Sequence, residues 1–248
     1  MKVKSVFAGF LHSDPGHHKA FNTWHDYDHR PENHGPISHI FHSQRWVAPP
    51  DYVKLRGAVH LPKGGGQYFA MYWSTATPEQ LVYDMTVVRE QLRVLGRCGP
   101  IDRDFTAVWR DRMHFVSAQV RPGLALSADA VPVCPHKGII AVLGEVIDMK
   151  RRDEYAQWDE MVHIPDVLTC KGVMAAFKFM PMKEEEHHIY LKLHYLDDDP
   201  MKVMEEIREN SPQWKAKGHR LDNLDGVRRN LITSIYQPIT PGRYDFYD

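Results

Sequence analysis

In the apolar run GIIAVLGEVI (residues 138–147) Glu145 is the only charged side chain. A carboxylate in such a strand is costly to bury unless it is paired or protonated. Glu145 is therefore a candidate acid or base with a raised pKa; the alternative is a strand-end glutamate that reaches solvent. The run IYLKLHYL (189–196) alternates, with Leu191, Leu193 and Tyr195 in one phase and Tyr190, Lys192, His194 and Leu196 in the other. Lys192 and His194 can hold and move protons. In a third apolar run Lys178 shares its phase with Met174, Ala176 and Met180. Histidine is in surplus, at 16 of 248 residues, and it is the side chain whose charge changes near neutral pH.

Two of these histidines sit in a block that occurs twice. Phe21, Trp24, His29 and Pro31 in FNTWHDYDHRP recur as Tyr155, Trp158, His163 and Pro165 in YAQWDEMVHIP, at a constant offset of 134 residues. A second match, YFAMYWSTATP (68–78) against YLKLHYLDDDP (190–200), has an offset of 122. The difference of 12 is one loop that is longer in the first half. A repeat of this length implies two copies of one small domain: a first repeat over 1–118, a linker over 119–136, a second repeat over 137–240 and a tail over 241–248. Trp24 and Trp158 follow Phe21 and Tyr155 by three residues, the spacing of a buried stripe. His25 and His29 share one helix face at a spacing compatible with metal binding. His34, His39 and His42 follow, but no ligand motif is matched and no metal is assigned.

Each half reads as strand, helix, strand, strand, helix, strand. In the first, the strands are Val3 to Leu11, Ile37 to Val47, Tyr68 to Thr75 and Phe105 to Phe115. Asp14-Pro15 opens a helix that Pro31 ends, and Thr77-Pro78 opens another that Gly96 ends. That second helix carries Leu81, Met85, Val88, Leu92 and Leu95 at helical spacing, so one face is buried. In the second half the strands are Gly138 to Ile147, Val173 to Met180, Ile189 to Leu196 and Gly226 to Tyr236, with helices near Arg151 to His163 and from Pro200, the latter interrupted at Ser211-Pro212. This βαββαβ order is the ferredoxin-like arrangement. The fold class is α+β: two tandem ferredoxin-like units whose antiparallel sheets cover each other by closing into a barrel.

The repeated W-x4-H-x-P block resembles that of the dimeric α+β barrel superfamily, and within it the EthD-like and stress-responsive barrel-domain proteins. The resemblance covers nearly the whole chain as fold and repeat. It implies that a histidine of this block borders the ligand cavity and acts in proton transfer, which makes His29 and His163 catalytic candidates. The other reading has each histidine capping the last carbonyls of its helix. The apolar phase of 189–196 is assigned to the helix layer, so Lys192, His194 and Tyr190 point into the barrel, with Lys178. By the repeat, His42, Trp46, Tyr68 and Tyr72 join them as substrate-binding candidates.

Composition narrows the ligand. With 31 basic and 32 acidic residues the formal charge is −1, and no general field would draw in nucleic acid or an anionic membrane. No apolar run approaches the length of a membrane span, and a cytoplasmic location is expected. Cys98, Cys134 and Cys170 form neither a disulfide framework nor a zinc motif. Dinucleotide, P-loop and G-x-S-x-G signatures are missing. The expectation is a cofactor-independent lyase, decarboxylase, isomerase or cyclase of aromatic compound metabolism, with Glu145, His194, Lys192, His29 and His163 as catalytic groups. Its partner is a small molecule, and a homodimer stays open. The alternatives are a heme protein of the chlorite-dismutase-like or peroxidase-like kind, since such relatives share the tandem barrel, and a noncatalytic ligand-binding or stress-related protein.

Overall fold

The computed structural model describes residues 2–97 and 105–247; Cys98 lies outside them. The first repeat contributes strands β1 (Ser5–Ser13), β2 (Ile40–Val47), β4 (Tyr68–Ser74) and β5 (Phe105–Val120), with the short β3 (Gly57–Val59) inside its long loop. The second contributes β6 (Gly138–Val146), β7 (Val173–Pro181), β8 (Ile189–Leu196) and β9 (Arg228–Pro238). All pairings are antiparallel, in the order β2-β4-β1-β5-β7-β8-β6-β9-β3. Each repeat thus has the same ferredoxin-like strand order. β5 pairs with β7 at one seam, and at the other Trp46 pairs with Pro238 and Val47 with Gln237. The sheet closes on itself through this short seam, beside which β3 pairs with β9 alone.

The first-repeat helices are α1 (His18–Trp24), α2 (Arg30–His34), α3 (Pro50–Lys54) and α4 (Pro78–Val94); those of the second are α5 (Arg152–Trp158), α6 (Ile164–Leu168), α7 (Pro200–Ala216) and α8 (Leu224–Val227). Thr77 caps α4, accepting from the Gln80 amide, and Asp199 caps α7, accepting from Met201. Each is followed by proline at the first helical position, where its missing N–H costs nothing. Leu81, Met85 and Val88 are buried as their spacing implies, but α4 ends at Val94 and Leu95 is exposed. The expected break at Ser211-Pro212 does not occur. Pro212 lies inside α7 on its exposed side, where water can satisfy the carbonyl that a proline leaves free.

Pro31 and Pro165 likewise do not end their helices. Residues His25–His29 and Asp159–His163 are wound as π turns, and the helix resumes through the proline as α2 and α6. In each, an amide donates five residues back, Arg30 to His25 and Ile164 to Asp159. A π turn widens the coil so that residues five apart, not four, come onto one face. Trp24 then stacks on His29 at 4.5 Å between ring centroids, and Trp158 on His163 at 5.0 Å. The W-x4-H spacing is the spacing of this turn.

The barrel interior holds Phe10, Trp46, Phe69, Met71, Trp73, Phe177, Phe179, Leu191, Leu193, Tyr195 and Tyr236, drawn from both repeats. The helices cover its outer face, with separate clusters over the second repeat (Val142, Tyr155, Val167, Tyr190, Met204) and the first (Ile40, Tyr72, Leu81, Met85). Residues between the repeats are not a free tether: Val131 is fully buried against the barrel core.

Candidate functional site

The strand phases run opposite to the sequence assignment. Leu191, Leu193 and Tyr195 fill the barrel, while Tyr190, Lys192 and His194 face the helix layer. The reason is one of partners. The barrel interior is filled by large aromatic and aliphatic side chains from every strand, and offers an ammonium group no counter-ion. The helix layer supplies one, Asp159, at the first position of the second π turn.

Asp159 is fully buried and binds Lys192 Nζ through Oδ1 at 2.6 Å. Its Oδ2 lies 3.3 Å from Lys178 Nζ, which also reaches Glu160 at 3.5 Å. Lys178 and Lys192 are cross-strand partners on β7 and β8, so adjacent strands hold two cations against one π turn. Beside this cluster opens a cavity of about 180 Å³. Its polar walls are Lys192, His194, His163, Arg228 and Asn230; its apolar walls come chiefly from Ile140, Val142, Trp158 and Met204. Tyr155 and Tyr190 pack as a tilted pair, 5.5 Å between ring centroids, at its edge, and the Tyr190 hydroxyl donates to Asn230.

Burial sets the protonation states. Desolvation lowers His194 to about 4, helped by the nearby Lys192 charge, and lowers His163 to about 3 for the same two reasons. Both imidazoles are neutral at pH 7. Neither ring nitrogen of His194 has a hydrogen-bond partner of good geometry. Burial alone would raise Asp159, but the attraction of Lys192, His163 and Lys178 outweighs it and holds the carboxyl well below the usual range. Burial lowers Lys192 also, against the pull of Asp159. The result is an ion pair, a neutral histidine with unused valence and a small dry-walled space, an arrangement able to polarise a ligand oxygen and move one proton.

The first repeat shows the same frame with different residues. Arg45, on β2, is the counterpart of Lys178, because it pairs with Ala70 as Lys178 pairs with Lys192, one residue on from the sequence alignment. It pairs with Asp26 of the first π turn at 2.9 Å and donates to Asn22 at 2.6 Å. The positions of Asp159, Lys192 and His194 are taken by His25, Ala70 and Tyr72. The tail, which the sequence left unplaced, closes this half. Tyr244 is buried with its hydroxyl donating to Asp26 at 3.0 Å, and Tyr247 stacks on His18 at 4.6 Å.

The candidates therefore separate. His163, Lys192 and His194 meet at the cavity, Tyr190 stands at its edge, and Lys178 supports it through Asp159. Glu145 does not join them. It lies at the end of β6, where its carboxylate, 16% exposed, accepts from the exposed Arg229, so it is a strand-end glutamate held in an ion pair. His29 and Tyr68 belong to the first repeat's own layer, Tyr72 packs under α4, and Trp46 and His42 share a β2 phase directed at the barrel core. Trp46 donates there to His136. Trp158, read as a core anchor, lines the cavity. Among the described residues no group of three His, Cys, Asp or Glu side chains is placed to hold a metal ion.

Asp159, Tyr155, Arg228 and Asn230 escaped the sequence reading as site residues. Asp159 carried a usable signal: two lysines in apolar strands demand a buried anion, and Asp159 replaces His25 within the repeated block. Arg228 and Asn230 carried none, because they stand in a strand whose start was placed two residues early.

No family model and no curated protein matches the sequence. Solved structures do. An anthrone oxidase-like protein superposes with a TM-score of 0.57 at 10% identity, over 98% of this chain and 95% of its own. A candidate chlorite dismutase gives 0.56 at 10% identity, over 98% and 97%. A candidate monooxygenase from Fusobacterium nucleatum subsp. nucleatum gives 0.53 at 5% identity, over 96% and 92%. Among the described residues no helix is long and apolar enough to cross a membrane. At these identities the likeness is one of architecture: the chain has the α+β fold of two tandem ferredoxin-like units shared by these proteins.

Proposed function

We propose that the protein is a small-molecule enzyme that performs acid–base chemistry in the helix layer of its second repeat, on an apolar or aromatic substrate. The observation that carries this reading is the buried Lys192–Asp159 pair beside an unpartnered, neutral His194 at one apolar cavity. Lys192, fixed by Asp159, stabilises negative charge that develops on a substrate oxygen. His194 accepts a proton from carbon and returns it to a neighbouring carbon in an isomerisation, or passes it on in an elimination. Trp158 and Met204 exclude water. His163, held by its stack on Trp158, keeps a neutral polar wall. The EthD-like affiliation rests on the repeated block alone.

Heme was the alternative cofactor, and this cavity does not fit it. Pockets for drug-sized ligands run to roughly 300–1,000 Å³, and a porphyrin is at least that large, whereas this cavity is about 180 Å³ with Trp158 stacked across His163. We derive no step through it. Hemin added to the purified protein gives no Soret band on this reading.

The test is deuterium uptake from D2O into a panel of single-ring carbon acids, followed by NMR. Wild-type protein exchanges at least one of them, and His194→Gln lowers the rate by about 10²–10⁴ with the fold intact. Exchange that survives both His194→Gln and Lys192→Met removes these residues from the chemistry.

A further inference from the structure

The cavity's size, charge and free donors narrow the ligand further. Resting on the acid–base reading above, we infer that the cavity takes a single-ring aromatic monocarboxylate and that Arg228 is its carboxylate anchor. Size comes first. An apolar cavity of roughly 150 Å³ holds benzene, so about 180 Å³ admits one ring with a small substituent and little more.

Charge comes second. Lys178, Lys192 and Arg228 stand against Asp159 and Glu160 at this site, which leaves one positive charge in excess. Asp159 is shared by the two lysines and Glu160 serves Lys178. No carboxylate among the described residues lies within ion-pair distance of Arg228; the nearby Glu145 is taken by Arg229. A monoanion balances the site, and a phosphate dianion overshoots it.

Donor geometry comes third. The Asn230 amide already donates one N–H to Thr233 at 3.1 Å and accepts from Tyr190 at 3.3 Å, and it carries no charge. Arg228 keeps a planar fork of donors that matches a carboxylate in two parallel hydrogen bonds. It also stands at the neck. Arg228, Trp158, His163 and Ile207 line both this cavity and an adjoining outer pocket of about 280 Å³. A carboxylate held there leaves the ring to the apolar walls of Ile140, Val142 and Met204. In the first repeat the corresponding strand position is Phe105, since Ser13 pairs with Phe105 as Val146 pairs with Arg228, so the anchor is peculiar to the open site.

The experiment titrates benzoate and its neutral isostere benzamide into wild-type, Arg228→Gln and Arg228→Lys protein by calorimetry, with toluene as the apolar reference. Wild type binds benzoate about tenfold or more tightly than benzamide, the size of a charge-assisted hydrogen bond. Arg228→Gln loses that preference while still binding benzamide, which shows an intact cavity, and Arg228→Lys keeps part of it. Equal binding of benzoate and benzamide by wild type, or benzoate binding indifferent to Arg228→Gln, overturns the carboxylate assignment and leaves the cavity reading standing. Failure of benzoate, benzamide and toluene to bind at all overturns both.

Discussion

Lys192 Nζ and Asp159 Oδ1 meet at 2.6 Å between β8 and the second π turn, both out of contact with solvent. The pair joins a strand to a helix, and it fixes one of the two cations that line the cavity, the other being Arg228. Removing one member of a buried pair leaves the other uncompensated.

Asp159→Asn should therefore destabilise the protein by about 3–5 kcal/mol, since it strands Lys192 and Lys178 together. Lys192→Met should cost less, because Lys178 still faces Asp159 at 3.3 Å. Urea denaturation ranks the two variants. The reverse order would mean that the carboxylate is not the hub.

His194 and His163 make the fold sensitive to acid, as do His25 and His29 of the first repeat, which burial also depresses. Their folded pKa values lie below 6.5, at about 4 for His194 and about 3 for His163, so the unfolded chain takes up protons first as pH falls. Stability is complete above about 6.5 and declines toward pH 4, with His194 contributing a slope of about 1.4 kcal/mol per pH unit in that window. Asp159, also depressed, adds a loss only below the ordinary carboxylate range. Thermal unfolding between pH 4 and 7 measures this, and His194→Gln should flatten the curve. An unchanged slope would place His194 in contact with water.

Much of the fold was legible in the sequence and one part was inverted. The tandem repeat and the strand order follow from the residues alone; of the three positions where the halves differ, Lys192 opposite Ala70 and His194 opposite Tyr72 line the cavity, while Glu145 is held by Arg229 away from it. Alternation reveals that β8 has two faces but not which one meets the helices, because in a closed barrel both are covered. The polar phase was sent inward on the expectation that a barrel encloses its ligand; Trp73, Phe177 and Tyr195 occupy that space. The π turns were also hidden. Proline reads as a helix end, and only the five-residue spacing of Trp158 and His163 hints that the coil widens instead.

Gly144 of β6 should resist substitution. A methyl there would come within 2.4 Å of the Tyr190 hydroxyl oxygen, displacing the ring that packs against Tyr155. Gly144→Ala should cost about 1–3 kcal/mol and perturb the cavity edge, readable as weakened benzoate binding. Wild-type stability together with wild-type binding would show that Tyr190 swings aside freely.

The tail should matter to the first repeat alone. Tyr244→Phe removes the hydroxyl donor to the buried Asp26 and should cost about 1.5–3 kcal/mol, while leaving ligand binding in the second repeat unchanged. Denaturation and calorimetry on one variant separate these effects. Loss of binding would mean that the halves are coupled across the barrel.

The central claim is that the working site lies in the helix layer of the second repeat and nowhere else in the barrel. Amide chemical-shift mapping with benzoate tests it most directly. Shifts confined to residues around Val142, His163, Lys192, His194 and Arg228 are the expected result. Shifts centred on the barrel interior at Trp46 and Tyr195, or on Arg45 and Tyr68 of the first repeat, would contradict it.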